Sequence, residues 1–272
     1  MVLQAWMRGA FMLPGFFFAL TSLAAAGADQ QQARIAQLVF HNECAAKIAC
    51  LTSWNRGEEF ASLGIGHFIW YPSGTPETDR PFAESFPLLL QFFQEHGIRL
   101  PDWLELSRGC PWHDRDNFIA AASSPRMQEL RLLLQETMAL QAAFLQRRLE
   151  HALPAMLEAV SADLRPNIQR QFRRVAASPM GAYVLTDYVN FKGEGLRLSE
   201  RYDGEGWGLM QVLVSMQGDA SGLGAIQEFA SSANVLLTRR VAHAPKNRNE
   251  TRWLPGWRKR LGTYEEEARR AM

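Results

Sequence analysis

Apolar positions recur at helical spacing along most of the chain. Over 29–51, the residues Ile35, Leu38, Val39, Ala46, Ile48 and Leu51 mostly keep a three-to-four-residue repeat, which predicts an entry helix. Phe86, Leu89, Leu90 and Phe93 mark an amphipathic helix over 82–97, stopped by Gly97. The longest helical pattern covers 126–153, with Leu130, Leu133, Leu134, Met138, Phe144 and Leu149 facing inward and Pro154 interrupting it. Helix resumes over 157–177, broken around Pro166. Another helix ends near Phe191, a Gly-rich polar loop follows, and the next helix starts near Gly206. Leu223, Ile226, Phe229, Ala233, Leu236 and Leu237 place 221–241 in a helix, and a charged helix closes the chain after Trp253 and Trp257. No internal repeat and no low-complexity segment interrupts this order.

One stretch departs from the helical rhythm. After the polar turn that follows Trp54 comes Ser62-Leu63-Gly64-Ile65-Gly66-His67-Phe68-Ile69-Trp70-Tyr71. Two glycines alternate with Leu63 and Ile65, and glycine inside a strand marks a close approach of backbone or ligand. The pattern predicts a β-hairpin between about Trp54 and Tyr71, its glycines lying against the helix that carries Glu43. Around Trp103 and Trp112 the chain reads as short turns with buried aromatics.

Residues 1–28 read as an export signal. Arg8 is the only charge among them, an apolar run covers Ala10–Ala26, and Ala26-Gly27-Ala28 offers the small-x-small pattern of a cleavage site. An uncleaved N-terminal anchor is the alternative. Pro14 and the short apolar core argue against a stable membrane span, so no integral span is expected after cleavage. The expected location is periplasmic or secreted.

The formal net charge is +1 over 272 residues, and loss of residues 1–28 would bring it to zero. A neutral chain gives no reason to expect nucleic acid or an anionic membrane as partner. The cysteines are Cys44, Cys50 and Cys110. An odd count leaves at least one thiol unpaired. Cys44 and Cys50, six apart on a predicted helix, would point in different directions, while a bridge from Cys110 to either suits an oxidising compartment. The cysteine spacing suggests no zinc, and the acidic loop containing Glu194, Glu200, Asp203 and Glu205 does not fit an EF-hand. The expectation is therefore no metal and no cofactor.

The stretch from Glu43 to His67 resembles the active-site region of phage-type lysozymes. In that family a catalytic Glu closes a helix, Lys-Ile follows shortly, and a hairpin ends in Thr-x-Gly-Ile-Gly-His. Here Glu43, Lys47-Ile48 and Ser62-Leu63-Gly64-Ile65-Gly66-His67 take those places, with Ser62 where the active-site Thr would stand. There are departures. Glu43 and His67 stand several residues further apart than in the family. Cys44 replaces the glycine after the acid, and the position of the family's Asp falls on Arg56, with Glu58 and Glu59 the nearest carboxylates. Downstream, Gly206-Trp207-Gly208-Leu209-Met210-Gln211-Val212 resembles the Gly-Leu-Met-Gln turn of goose-type lysozymes and lytic transglycosylases.

The resemblance implies a mainly α, lysozyme-like helical fold with one small β-hairpin and additional helices. Residues 29–272 would form a single domain with an inserted helical subdomain at about 81–178. It also implies cleavage of the β-1,4 glycan strand of peptidoglycan, by hydrolysis or by lytic transglycosylation. That chemistry needs a proton on the leaving oxygen and stabilisation of an oxocarbenium-like transition state. Glu43, flanked by Phe40 and Cys44, is the expected general acid, its apolar surroundings holding it protonated. Glu58 would supply the second carboxylate or position water, and Ser62 a hydroxyl. His67, Tyr71, Glu205, Trp207 and Gln211 are the expected substrate-binding residues, with His67 supporting the site and Trp207 giving sugar rings an aromatic face. A binding-only alternative has the same groove holding glycan as an envelope scaffold. A second alternative is a cysteine hydrolase built on Cys44 and His67.

Overall fold

The computed structural model describes residues 17–104 and 109–272, with side chains from residue 30 onward. The first sixteen residues of the expected export signal lie outside the described residues. Helix α1 (Phe17–Cys44) runs unbroken through Ala26-Gly27-Ala28 and into the body of the protein. The chain is mainly α-helical with one small antiparallel sheet, and no helix among the described residues is long and apolar enough to cross a membrane.

Helix α1 stops earlier than the apolar repeat predicts. Ala45 and Ala46 both take left-handed backbone angles, φ 47° and 56°, a region L-residues other than Asn and Asp seldom enter. The reversal turns the chain into a 3-10 turn at Ile48–Leu51, and a disulfide joins Cys44 to Cys50 across it. The expected divergence of these two cysteines held only for an unbroken helix. Once the helix ends at Cys44, the turn brings the two Cα atoms to 5.4 Å. Cys110 is the free, buried thiol, and burial pushes it up to about 12.

The sheet follows directly. Strands β1 (Thr52–Ser53), β2 (Ala61–Leu63) and β3 (Phe68–Trp70) lie in sequence order, with Ser53 opposite Ser62 and Leu63 opposite Phe68. Helices α2 (Phe86–Glu95) and α3 (Arg115–Ala120) come next, α3 lying in chain for which the apolar pattern predicts no element. The long helical pattern is two helices, α4 (Pro125–Glu136) and α5 (Met138–Glu158), divided at Thr137 rather than at Pro154. Pro154 sits inside α5. Proline lacks the N–H that would bond the carbonyl of Glu150, four residues before it and exposed.

The hairpin's glycines do not press on α1. Gly64 has φ +68°, and a Cβ there would lie 2.3 Å from Gln141 Oε1 on α5. A Cβ on Gly66 would meet the Phe68 ring at 2.7 Å. Gln141, wholly buried, accepts the Ile65 N–H at 2.8 Å and donates to the Leu134 carbonyl at 2.6 Å and to Thr137 Oγ1 at 3.1 Å. One amide thus ties the hairpin turn to the break between α4 and α5. Gly64→Ala adds both a clash and a left-handed alanine, and is expected to cost about 2–3 kcal/mol in chemical denaturation.

Helices α6 (Arg165–Ala176), α7 (Gly181–Lys192), α8 (Leu209–Ser215), α9 (Leu223–His243) and α10 (Leu254–Arg270) complete the fold. Helix α1 packs on α5, α5 on α7, and α9 along α10. A continuous apolar core runs through all of them, from Val39 through Leu134, Leu145 and Tyr188 to Phe229 and Tyr264. This packing sets the ends of α1 and α7 and the middle of α10 around the hairpin.

Candidate functional site

Glu43 stands in the last turn of α1, where three other elements meet it. Its Oε1 accepts from Arg260 of α10 at 2.7 Å and from Asn190 of α7 at 3.0 Å. Its Oε2 lies 3.5 Å from His67 Nδ1, at the end of the hairpin turn. Arg260 also forks onto Asp187 of α7, with contacts of 2.7 and 2.8 Å. Asp187 is fully buried and further accepts from the Tyr264 hydroxyl at 2.6 Å and from Asn42 at 3.3 Å. Every charge in this cluster is paired and hydrogen-bonded, as a buried ion network requires.

The electrostatics differ from the expectation of a protonated Glu43. Burial raises its pKa, but the charges of Arg260 and His67 and the hydrogen bonds from Arg260 and Asn190 outweigh burial, leaving the carboxyl below the ordinary range. Arg260 is held firmly charged: burial opposes its charge, and Asp187 and Glu43 overcome it. The apolar neighbours of Glu43 in sequence, Phe40 and Cys44, therefore do not decide its state. Partners from α7 and α10 do.

Beside this cluster opens a groove of about 1110 Å³. His67 and Asn190, two of the three direct partners of Glu43, line it, together with Phe92, Phe144 and the Gly193–Gly195 loop. Glu43 is one side chain behind that wall, with 15% of its side chain still exposed. Lys192, also in the lining, rests its Nζ 3.6 Å from the Trp257 ring centre. Burial and the nearby Arg240 and Arg260 lower the pKa of its amine. Glu194 lies on the same wall, paired with Arg148 at 2.6 Å.

The other residues expected at the site divide differently. Glu58 accepts from Asn55 at 3.0 Å and from Ser62 Oγ at 3.3 Å, so Glu58 and Ser62 are engaged with each other within the sheet region. Ser62 is buried. Tyr71 is wholly buried, its ring against Phe60 and its hydroxyl bonded to the Phe82 backbone. It is core, not a groove contact. Glu205 pairs with Tyr202 through backbone and leaves a buried Oε2 without a partner among the described residues.

The Gly-Leu-Met-Gln turn also has a structural task. Trp207 is 2% exposed, and its indole N–H donates to the Glu200 carbonyl at 2.8 Å. It gives no face to a sugar. Gln211 accepts the Gly208 N–H at 3.1 Å and donates to the Gly195 carbonyl at 3.0 Å. A Cβ on Gly195 would lie 1.9 Å from that amide. Gln211 thus clamps the Gly-rich loop that edges the groove. Trp207→Ala, expected from sequence to weaken glycan binding on an intact fold, is instead expected to open a core cavity. The predicted loss is about 3–5 kcal/mol in a denaturant titration.

The disulfide removes the Cys44 thiol that a cysteine hydrolase would need. Arg260, Asp187 and Asn190 were not singled out from sequence; a lone Arg, Asp or Asn on an amphipathic helix carries no signal of its partner. Comparison with protein-family models, curated proteins and solved structures gives no match to this chain.

Proposed function

We propose that the chain is an exported enzyme that cleaves the β-1,4 glycan strand of peptidoglycan, with Glu43 as the proton donor. The observation that carries this reading is the position of Glu43. It closes a helix beside the hairpin, and two of its bonding partners, His67 and Asn190, line the groove. The groove's volume of about 1110 Å³ lies just above the range of about 300–1,000 Å³ common for small-molecule pockets, which suits several sugar rings. Its mixture of aromatic, amide and charged side chains suits hydroxyl and N-acetyl groups.

An acid that rests ionised must take up a proton before it can donate one. Cleavage is therefore expected to rise as the pH falls toward the lowered pKa of Glu43. With Glu58 engaged by Asn55 and Ser62, a one-acid mechanism fits best. Lytic transglycosylation is such a mechanism, the sugar's own C6 hydroxyl closing a 1,6-anhydro ring in place of water. Mass spectrometry of fragments released from purified peptidoglycan tests this. Anhydro ends support transglycosylation, reducing ends support hydrolysis, and no fragments at any pH overturn both.

The ion pair between Glu43 and Arg260 favours a second reading, a glycan-binding scaffold in which the carboxylate never donates a proton. Glycan retained on the protein without any fragment release would support it.

A further inference from the structure

We propose that reduction of the Cys44–Cys50 disulfide creates a zinc site, with the two sulfurs and His67 Nε2 as its protein ligands. The inference does not depend on the glycan reading. His67 Nε2 lies 3.5 Å from Cys50 Sγ and 3.7 Å from Cys44 Sγ. The three atoms form a potential metal-holding group. A tetrahedral ion with Zn–S near 2.3 Å and Zn–N near 2.05 Å sets sulfur and nitrogen about 3.5 Å apart. The imidazole therefore already stands at ligand distance from both sulfurs.

The rest of the geometry also suits an ion. The other imidazole nitrogen, Nδ1, faces Glu43 Oε2 at 3.5 Å. That carboxylate favours the tautomer with the proton on Nδ1 and leaves Nε2 bare, the carboxylate–histidine–metal arrangement of many zinc sites. Arg260 and Asn190 hold the carboxylate in turn. The Cα atoms of Cys44 and Cys50, 5.4 Å apart, allow the sulfurs to separate by side-chain rotation. Two thiolates balance the charge of Zn²⁺, with neutral imidazole third and water fourth.

The chemistry balances. A dithiol reductant gives two electrons to the S–S bond and becomes its own disulfide, and its two protons pass to the Cys44 and Cys50 sulfurs. Zinc binding then releases two protons as both thiols become thiolates. In the oxidised chain the sulfurs are bonded to each other and supply no thiolate, so metal binding is gated by redox state.

The test is calorimetric titration of the intact chain with Zn²⁺, oxidised and after reduction by a water-soluble phosphine. The phosphine takes oxygen from water to become its oxide as the cystine becomes two thiols. Circular dichroism is recorded in parallel. One zinc per reduced chain is expected, with no binding to the oxidised chain, and cobalt in place of zinc should give a thiolate charge-transfer band. His67→Ala should weaken binding at least 100-fold, and Glu43→Gln, acting through His67, by about 10- to 100-fold. Cys110→Ser should bind as the parent does. Equal binding by the oxidised chain, undiminished binding by His67→Ala, or loss of binding in Cys110→Ser would overturn the proposal. So would a reduced chain that unfolds and that zinc does not restore.

Discussion

Replacing Arg260 with methionine is expected to cost about 3–5 kcal/mol of stability, because it leaves the fully buried Asp187 without its countercharge. Methionine keeps much of the volume, so the loss is electrostatic rather than a cavity. The Tyr264 hydroxyl and Asn42 still reach Asp187, but neither carries a charge. Chemical denaturation at neutral pH measures the effect. Adding Asp187→Asn removes the stranded charge, and the double variant should lose less than the sum of the two single changes by about 1 kcal/mol or more. Strict additivity would mean that the pair is not coupled as its bonds indicate.

Glu43→Gln is expected to reduce glycan cleavage by about 10²- to 10⁴-fold, the usual worth of a general acid. A carboxyl held neutral by apolar neighbours would leave the stability of this variant equal or higher. The ionised, Arg260-paired carboxylate reverses that expectation. Glutamine keeps a hydrogen bond to Arg260 but not the charge, so a loss of about 1–3 kcal/mol at pH 7 is predicted. The pH dependence has a definite sign. The folded pKa of Glu43 is lowered, so its contribution is present above the unfolded value of about 4.3 and is lost as pH falls through the folded value. The stability gap between parent and variant should therefore close in acid. A gap that widened in acid would contradict the ion pair.

Much of the fold was legible because most helices present a plain apolar face. Phe86, Leu89 and Phe93 on α2, and Ile226, Phe229 and Leu237 on α9, are buried as their spacing predicts. The hairpin was legible from the glycines between Leu63 and His67. Its packing partner was not, because Gln141 lies 76 residues beyond Ile65 and reads as one polar residue on a helix. The end of α1 was hidden for a different reason. Alanine is a strong helix former, and nothing local tells that Ala45 and Ala46 are forced into left-handed backbone by the turn that lets Cys44 reach Cys50. Pro154 misled in the opposite sense, since α5 continues through it to Glu158.

At the candidate site, the charge state of Glu43 was not legible. Glu43 Oε2 and His67 Nδ1 lie 3.5 Å apart. The charge on Glu43 depends on Asn190 and Arg260, 147 and 217 residues away in sequence, and no pattern near Glu43 announces them. Trp207 and Gln211 were read as sugar contacts from a short motif. The motif's geometry instead serves the Gly-rich loop, through bonds to Glu200, Gly195 and Gly208.

Glu43 as proton donor is tested by the pH profile of fragment release from purified peptidoglycan, over the range in which circular dichroism shows the fold intact. Soluble glycan fragments are expected, their rate of release increasing as the pH is lowered from 7 toward 4, with almost none from Glu43→Gln at any pH. Release that is unchanged by Glu43→Gln, or that increases toward alkaline pH, would contradict Glu43 as a proton donor that rests ionised beside Arg260.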